Sequence, residues 1–361
     1  MAFPIKVTVV LTAFLILGMI LAGLVTQPKE SKDAWNIKES DFPSNGSAES
    51  KLTFLLQYAI LAPSSYNAQP WRFSVNGSEI RLFADENRQL TVADADRREL
   101  YVNLGSALEN LLLAAEHFGY ICHVAYFPGE KDLAATVNLS PGNVFMTEAD
   151  ARLFGVILNR SSNSNPYDIK PVPESVLLDL RNQSVGEGIL VYTNEDSGTK
   201  EKLSGLVVAA DQLQFSNANY RSELGHWIGQ GTMGPTGIQA SIAQLEVTLL
   251  DPGPGMIKRD QELVNSTPAF GFITSERNDR ESQVRAGQAF ERLWLEATAL
   301  GLSLHPMSQV LEVPQTKASL ADLLPAGHGY PQLAFCIGYA RPEEHTPRRA
   351  LAEIIKEKEV D

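Results

Sequence analysis

The sequence predicts a protein of helices and strands arranged in two related lobes, and three observations lead to this prediction. Residues 99–118 carry leucines at a spacing of three and four, which is typical of an amphipathic helix. Apolar runs such as residues 79–84 and 332–339 have the length and composition of strands. Residues 105–123 align without a gap to residues 287–305, each segment reading as a helix, a glycine and a strand. This shared register suggests an internal duplication.

Composition bounds the class of protein before any motif is considered. The chain has 361 residues, of which 44% are apolar, enough for a sizeable core. A net charge of −13 and a pI near 5.0 argue against a nucleic-acid partner, which would require a basic face. Cys122 and Cys336 lie in apolar, strand-like runs, so buried free thiols are expected and neither a disulfide framework nor a metal site is indicated.

The first 50 residues differ in character from the rest. Residues 7–25 are apolar and uncharged, and at about 1.5 Å per residue they cover roughly the thickness of a bilayer core. We expect residues 1–26 to form an uncleaved single-pass membrane anchor, with a cleaved signal peptide as the alternative. Lys6 on one side and Lys29 and Lys32 on the other leave the side of the membrane open. Residues 27–50 read as a polar linker, and residues 51–361 as the globular part.

Within the first lobe, residues 51–145, a polar loop lies between a short helix at 52–61 and a strand from Arg72. Pro63 and Pro70 stiffen this loop. Two readings stay open: a site for a planar ligand with polar edges, or a capped turn whose side chains satisfy the backbone. The loop's short polar side chains are Ser64, Ser65, Asn67 and Gln69. Strands at 79–84, 121–127 and 135–139 and the helix at 99–118 complete the lobe.

The second lobe, residues 146–361, is predicted to alternate helices and strands around a long glycine-rich segment. We expect helices at 147–158, from Pro171, at 200–219, 280–300 and 313–323, and strands at 188–192, 267–275 and 332–339. Residues 220–255 are long for a connection and are expected to cover part of the protein. His226 in this segment invites a catalytic role, but a lone histidine beside Trp227 is more often structural.

The loop sequence Ala-Pro-Ser-Ser-Tyr-Asn-Ala-Gln-Pro-Trp at residues 62–71 resembles the signature of the nitroreductase family of flavin enzymes, in its Acg-like branch. In that family the loop touches the isoalloxazine ring and ribityl chain of FMN. The resemblance therefore implies that Ser64, Ser65 and Asn67 bind the flavin. The resemblance also places Gln69 among the cofactor-binding residues. Its main expected role, like that of Trp71, is to hold the loop in shape.

Two further segments extend the resemblance. Arg160 and Ser162 match an Arg-x-Ser motif that binds the FMN phosphate and ribityl groups, but Ser164 stands where the family has a base. Arg348 and Arg349 follow a strand ending in Gly-Tyr and a proline, the place of the family's phosphate clamp. A guanidinium suits a phosphate dianion. Without the resemblance, each arginine is equally well explained as a helix-terminal or solvated residue.

What the resemblance implies is an α+β fold in which each lobe has a mixed, mostly antiparallel sheet flanked by helices. The two lobes carry different motifs, so together they are expected to build one FMN site in a monomeric pseudo-dimer, or in a homodimer. The implied activity is hydride transfer from NAD(P)H through flavin to a nitroaromatic, a quinone or a similar acceptor. The alternative is a membrane-tethered protein that stores FMN under a lid. No catalytic residue is assigned.

Overall fold

A computed structural model describes residues 32–183, 186, 188–250 and 252–356. The expected membrane anchor at residues 7–25 lies outside the described residues. Within the described ranges, no helix combines the length and the apolar character that crossing a bilayer requires.

The first lobe is one antiparallel sheet packed on two helices. Helix α1 begins after Ser47, whose side chain accepts a hydrogen bond from the backbone N–H of Ser50, as a helix N-cap does. The sheet order is β1-β2-β4-β3, and Gly77, with a φ of +58°, forms the β1–β2 turn. The elements are α1 (Ala48–Ala59), β1 (Trp71–Asn76), β2 (Glu79–Ala84), α2 (Arg98–His117), β3 (Tyr120–Tyr126) and β4 (Leu133–Pro141).

The second lobe repeats this plan with insertions. Its sheet has the order β5-β6-β8-β7, and all of its neighbouring strands are antiparallel. The strands are β5 (Ile189–Asn194), β6 (Ala269–Ser275), β7 (Ser303–Pro306) and β8 (Tyr330–Gly338). The helices are α3 (Glu148–Gly155), α4 (Glu174–Arg181), α5 (Ser197–Ser216), α6 (Ala218–Gly229), α7 (Gly237–Leu249), α8 (Gly253–Ser266), α9 (Arg280–Ala299), α10 (Gln309–Glu312), α11 (Pro314–Ala321) and α12 (Leu351–Ile354).

The two sheets have the same strand order, so the α+β fold with two related lobes is confirmed. The repeated helices α2 and α9 pack against each other at their glycines. A Cβ atom on Gly105 would overlap the carbonyl oxygen of Val284, and one on Gly287 would overlap that of Val102. Both contacts stand in the register of the sequence repeat. The two helices therefore make equivalent contacts, as elements related by a pseudo-twofold would. Glycine is required at both positions because the helix backbones meet there.

Residues 220–255, expected to form a long connection, are mainly helical. They contain most of α6, all of α7 and the start of α8. The glycines that suggested a loop allow close helix packing instead, because a Cβ on Gly225 or Gly229 would overlap side chains of α7. Buried aromatic residues of this insert pack on Ala68, Leu90 and Ala93 of the first lobe. We call residues 218–250 the lid.

Two segments from the range expected to form the second lobe, residues 146–361, pack on the first lobe. Helix α3, expected to run to residue 158, ends at Gly155 and continues as a 3-10 turn, and its Leu153 and Phe154 belong to the first lobe's core. At the other end of the chain, the backbone N–H of Lys356 donates to the carbonyl oxygen of Phe73 on β1, at 2.7 Å. This return of the C-terminal segment brings Arg348 and Arg349 to the signature loop.

Candidate functional site

A cavity of about 570 Å³ is lined by residues of both lobes. One wall comes from the paired helices α2 and α9, and others come from the signature loop, the segment after α3, the lid and the segment before α12. Ser64, Ser65, Asn67, Arg160, Ser162 and Arg348 line it, and so do Val102, Asn103, Ser106, Phe290 and Trp294. Six of the eight residues expected to bind a cofactor are therefore brought to one cavity, of a size that ordinary ligand sites have.

The signature loop has an unusual backbone. Tyr66, Asn67 and Gln69 have φ values of +52°, +50° and +50°, in the left-handed region that residues with a Cβ seldom adopt. Side chains hold the loop in this shape: the Oγ of Ser64 accepts from the backbone N–H of Gln69 at 2.9 Å, and the Oγ of Ser65 donates to Glu99. Strained backbone held by its surroundings is common at ligand sites.

Asn67 joins three parts of the chain. Its Nδ2 donates to the carbonyl oxygens of Thr232 at 2.8 Å and Pro347 at 2.9 Å, while its Oδ1 accepts from Arg348 at 3.1 Å. Thr232 belongs to the lid and Pro347 to the C-terminal segment. The amide of Asn67 thus fixes the loop, the lid and the C-terminal segment relative to one another, at the edge of the cavity.

Gln69 and Arg349 are not among the lining residues. Gln69 is fully buried; its Oε1 accepts from the backbone N–H of Arg349 at 2.8 Å, and its carbonyl oxygen accepts from the Arg349 side chain at 2.9 Å. The guanidinium also pairs with Asp85, at 3.2 Å. These contacts attach the C-terminal segment to the loop, so in this structure Gln69 and Arg349 position the site without facing the cavity.

Arg160 and Arg348 converge on one backbone oxygen. Their Nη2 atoms donate to the carbonyl oxygen of Leu61 at 2.7 and 3.0 Å. Both arginines are almost fully buried, with exposed fractions of 2% and 3%. Their guanidinium groups lie over the rings of Trp294 and Trp35 at 4.9 and 4.7 Å. Two guanidinium groups that meet in this way have the chemistry to donate charge-assisted hydrogen bonds to an anion.

Arg160 also lies beside a buried carboxyl group. Its Nε lies 3.5 Å from a carboxylate oxygen of Glu291, which is fully buried. Burial raises the pKa of Glu291 to about 7, although the neighbouring Arg160 acts to lower it. Arg160 and Glu291 thus form a buried ion pair beside the cavity, in which burial and the guanidinium shift the pKa of the carboxyl group in opposite directions.

Sequence reasoning missed several residues of the cavity wall. Lys32 and Trp35 line it although their segment was read as linker, and His345 stacks on Trp35 with ring centroids 3.9 Å apart. The signal in the sequence was Trp35 itself, because a tryptophan within a polar segment is best explained by packing against another part of the protein. The catalytic reading of His226 gains no support, since this residue is exposed on α6 and does not line the cavity.

The lid closes over the cavity through specific hydrogen bonds. The hydroxyls of Tyr66 and Tyr220 are 2.8 Å apart, and the Oγ1 of Thr232 donates to the carbonyl oxygen of Tyr66 at 2.9 Å. Farther along α6, the carboxylate of Glu223 accepts from the consecutive backbone N–H groups of residues 91–93, including Ala93 at 2.8 Å. The lid is thus attached to both the signature loop and the segment before α2.

The repeat relates this cavity to a second location that side chains fill. Asn103 and Ser106 of the cavity wall correspond to Arg285 and Gln288 on α9. There, the hydroxyl of Tyr126 donates to the Oε1 of Gln288 at 2.7 Å, and the Arg285 guanidinium lies 4.2 Å from the Tyr126 ring centroid. At this second location, a side chain of β3 therefore contacts the residues of α9 that correspond to the cavity wall.

One protein-family model and several named proteins are similar to parts of this chain. The model of the nitroreductase family matches residues 235–339. Rv3131 of Mycobacterium tuberculosis, provisionally named an NAD(P)H nitroreductase, is 28% identical over 320 residues, which are 84% of this chain and 90% of that protein. The protein acg of the same organism, also provisionally named an NAD(P)H nitroreductase, is 26% identical over 315 residues, 83% of this chain and 93% of that protein.

A solved structure gives a weaker likeness. The FMN-dependent nitroreductase NfnB from Mycobacterium smegmatis, in complex with NADPH, is 15% identical and covers 59% of this chain and 99% of its own. The TM-score of this overlap is 0.37.

Proposed function

We propose that this chain, which matches the nitroreductase family over residues 235–339 and its relatives over most of its length, is an FMN-binding NAD(P)H oxidoreductase. The observation that carries the proposal is the convergence of Arg160 and Arg348 on the carbonyl oxygen of Leu61. A phosphate group placed there would accept charge-assisted hydrogen bonds from both guanidinium groups.

The donor set of the cavity fits FMN. The arginine pair suits the phosphate, and Ser161 and Ser162 beside Arg160 offer hydroxyls for the phosphate or the ribityl chain. Ser64 and Ser65 on the stiff loop would position the polar edge of the ring. Phe290 and Trp294 on α9 supply apolar surface for a planar ring system and exclude water.

FMN would supply the redox chemistry, passing a hydride from NAD(P)H to an acceptor. The chain's own residues would hold the cofactor, orient it and restrict access to it. We propose a nitroaromatic compound as the acceptor, in keeping with the names of the relatives, or else a quinone. No side chain of the cavity stands out as a nucleophile, and none is assigned a proton-transfer step.

A second candidate function is storage or shielding of FMN with little turnover. The specific observation in its favour is the lid, whose Glu223 accepts three consecutive backbone N–H groups and whose Tyr220 and Thr232 bond to Tyr66. A lid held at so many points would slow the approach of NAD(P)H and of acceptors.

The visible spectrum and the turnover of residues 31–361 separate these functions. A yellow protein with the absorption bands of FMN supports flavin binding, and a colourless protein that takes up no added FMN contradicts it. NADH or NADPH oxidation that depends on a nitroaromatic or a quinone supports the oxidoreductase. FMN binding without such oxidation supports storage.

We also propose that residues 7–25 anchor the chain in a membrane, with the globular part as a monomeric pseudo-dimer or a homodimer. The support is the uncharged apolar run and the polar segment after it. Membrane fractionation of the full chain tests the anchor. Intact full-length protein in the soluble fraction would contradict it.

A further inference from the structure

We propose that one wall of the cavity binds a cationic nitrogen group of the acceptor substrate, such as an amidine, a guanidine or a primary amine. This wall, which we call the acidic wall, consists of Asp211, Gln214, Asp260 and Glu312. The inference deepens the proposed function and rests on it for the role of the ligand as a substrate. The wall lies on α5, α8 and α10, whereas Arg160 and Arg348 lie on other segments.

Two of the three elements, α5 and α10, are joined by a hydrogen bond within the wall. Asp211 and Gln214 stand one turn apart on α5, which places their side chains on the same face of the helix. The Nε2 of Gln214 donates to one carboxyl oxygen of Glu312 on α10. This hydrogen bond holds the two side chains against each other. It uses one of the two N–H donors of the Gln214 amide.

Three oxygens of this wall lack a hydrogen-bond partner among the residues that the structure describes. They are the Oδ2 of Asp211, the Oε1 of Gln214 and the Oε1 of Glu312. Asp211 and Gln214 have exposed fractions of only 2% and 6%, and both line the cavity. Buried acceptors of this kind are nearly always satisfied in proteins. When the two carboxyl groups are ionised, all three oxygens are acceptors, and a ligand with several N–H donors offers partners for them.

Aromatic residues adjoin the acidic wall. Phe215 follows Gln214 on α5, and Tyr66 and Tyr220, whose hydroxyls bond each other, line the same cavity. Aromatic faces attract cations through the ring quadrupole, more strongly when water is excluded. A planar cation such as an amidine attached to an aromatic ring combines the donors that the acids require with a surface that packs on these rings.

The protonation of the wall makes the binding of a cation depend on pH. Burial and the neighbouring Asp260 raise the pKa of Asp211 to about 8, and burial raises that of Glu312. A bound cation favours the ionised carboxylate, so binding would release a proton and strengthen as the pH rises toward 8. Asp211 is faced by Asp260 on α8, Gln309 on α10 and Tyr220 on α6. Asp260 is faced in turn by Arg259 and His305. The charged groups acting on Glu312 are Glu99, Arg98 and Asp94.

Calorimetric titration of the full chain with benzamidine and with benzamide tests the proposal. The two probes have the same shape, but only benzamidine is a cation. We expect benzamidine to bind at least about tenfold more tightly at pH 8, with less preference at pH 6. Asp211→Asn should remove most of this preference, and Glu312→Gln should reduce it. Glu201→Gln, an exposed acid on the same helix, is the matched control and should preserve it.

Equal affinity for the two probes would overturn the inference, as would a preference that survives in both Asp211→Asn and Glu312→Gln. FMN titration of the same samples keeps the two proposals apart. FMN binding without a preference for benzamidine would reject the cationic site and leave the proposed function standing. A preference for benzamidine that Asp211→Asn abolishes, in a protein that binds no FMN, would support the site and reject the proposed function.

Discussion

Arg160 and Arg348 donate to the same backbone oxygen, that of Leu61, although they belong to segments far apart in the sequence. Leu61 lies between α1 and the signature loop, so the two guanidinium groups meet at the beginning of that loop. Each also stacks on a tryptophan, which restricts its orientation. The proposed anion site would therefore be assembled by three segments at once, and it can be tested by removing either arginine.

The first prediction concerns cofactor affinity. Replacing Arg160 or Arg348 with alanine removes a charge-assisted bond to the phosphate, worth roughly 1.5–3 kcal/mol, and should weaken FMN binding roughly 10- to 150-fold. Fluorescence quenching of FMN measures the affinity. Arg277→Ala, at an exposed arginine, should leave it unchanged. Undiminished affinity in both variants would remove the arginine pair from the cofactor site.

Arg349 gives a contrasting expectation. Its guanidinium pairs with Asp85 and with carbonyl oxygens of the signature loop, away from the cavity lining. Arg349→Ala leaves a buried carboxylate unpaired, so the free energy of unfolding should fall by about 3–5 kcal/mol. Denaturant titration with and without FMN measures this loss. A variant of normal stability that fails to bind FMN would instead make Arg349 a direct phosphate ligand.

The third prediction addresses the contact between the repeated helices. Gly105→Ala and Gly287→Ala each place a Cβ where a backbone carbonyl oxygen of the partner helix lies, and each should cost about 1–3 kcal/mol of stability or more. Gly205→Ala on α5 is the control: its Cβ would meet no atom within 4 Å, and a gain of about 0.4–1 kcal/mol is expected. Equal effects at all three glycines would contradict the close helix contact.

A fourth prediction concerns stoichiometry. The location related to the cavity by the repeat is filled by Tyr126, Arg285 and Gln288. We therefore expect one FMN per chain, determined by releasing the flavin from the denatured protein and comparing its absorbance with the protein concentration. Two flavins per chain would show that the second location opens in solution and that the single composite site is wrong.

The lid provides a kinetic prediction. Glu223→Gln replaces a carboxylate that accepts backbone N–H groups of residues 91–93 with a neutral amide, whose NH₂ group cannot accept. Loss of about 1.4 kcal/mol from this contact should make opening roughly tenfold more favourable and speed reduction of the bound flavin by dithionite accordingly. Stopped-flow absorbance measures the rate. Glu246→Gln, at an exposed acid of α7, serves as the control, and equal rates in both variants would argue against gating.

The raised pKa of Asp211 predicts that the free energy of unfolding depends on pH. Its pKa of about 8 in the folded state lies far above that of an unfolded aspartate, so the folded protein holds a proton that the unfolded chain releases. This contribution is complete below the unfolded pKa of about 3.9 and is lost as the pH rises toward 8. Asp211→Asn removes it. The stability of the variant relative to the natural protein should rise between pH 5 and 8, by up to about 1.4 kcal/mol per pH unit, in denaturant titrations. A constant difference would contradict a buried, protonated Asp211.

The sequence predicted the elements that depend on neighbouring residues. The amphipathic helix α2, the β1–β2 hairpin and the duplication were all visible, because helix periodicity, turn residues and a repeated register are local properties. The lid helices were misread because glycine was taken as a loop former. Gly225 and Gly229 mark close packing instead, and only the partner helix α7 reveals that role.

The candidate site likewise combines features that the sequence shows with others that only tertiary packing shows. The sequence by itself determined which segments carry the hydroxyls and arginines, since those motifs are short and contiguous. Only the tertiary structure decided that Arg348 faces the cavity while the adjacent Arg349 faces Asp85, and that Trp35 and Asp211 join the wall. The reason is physical, because successive side chains in an extended segment point in opposite directions. Which of the two faces the cavity depends on the segments that pack against each side, and these are distant in the sequence.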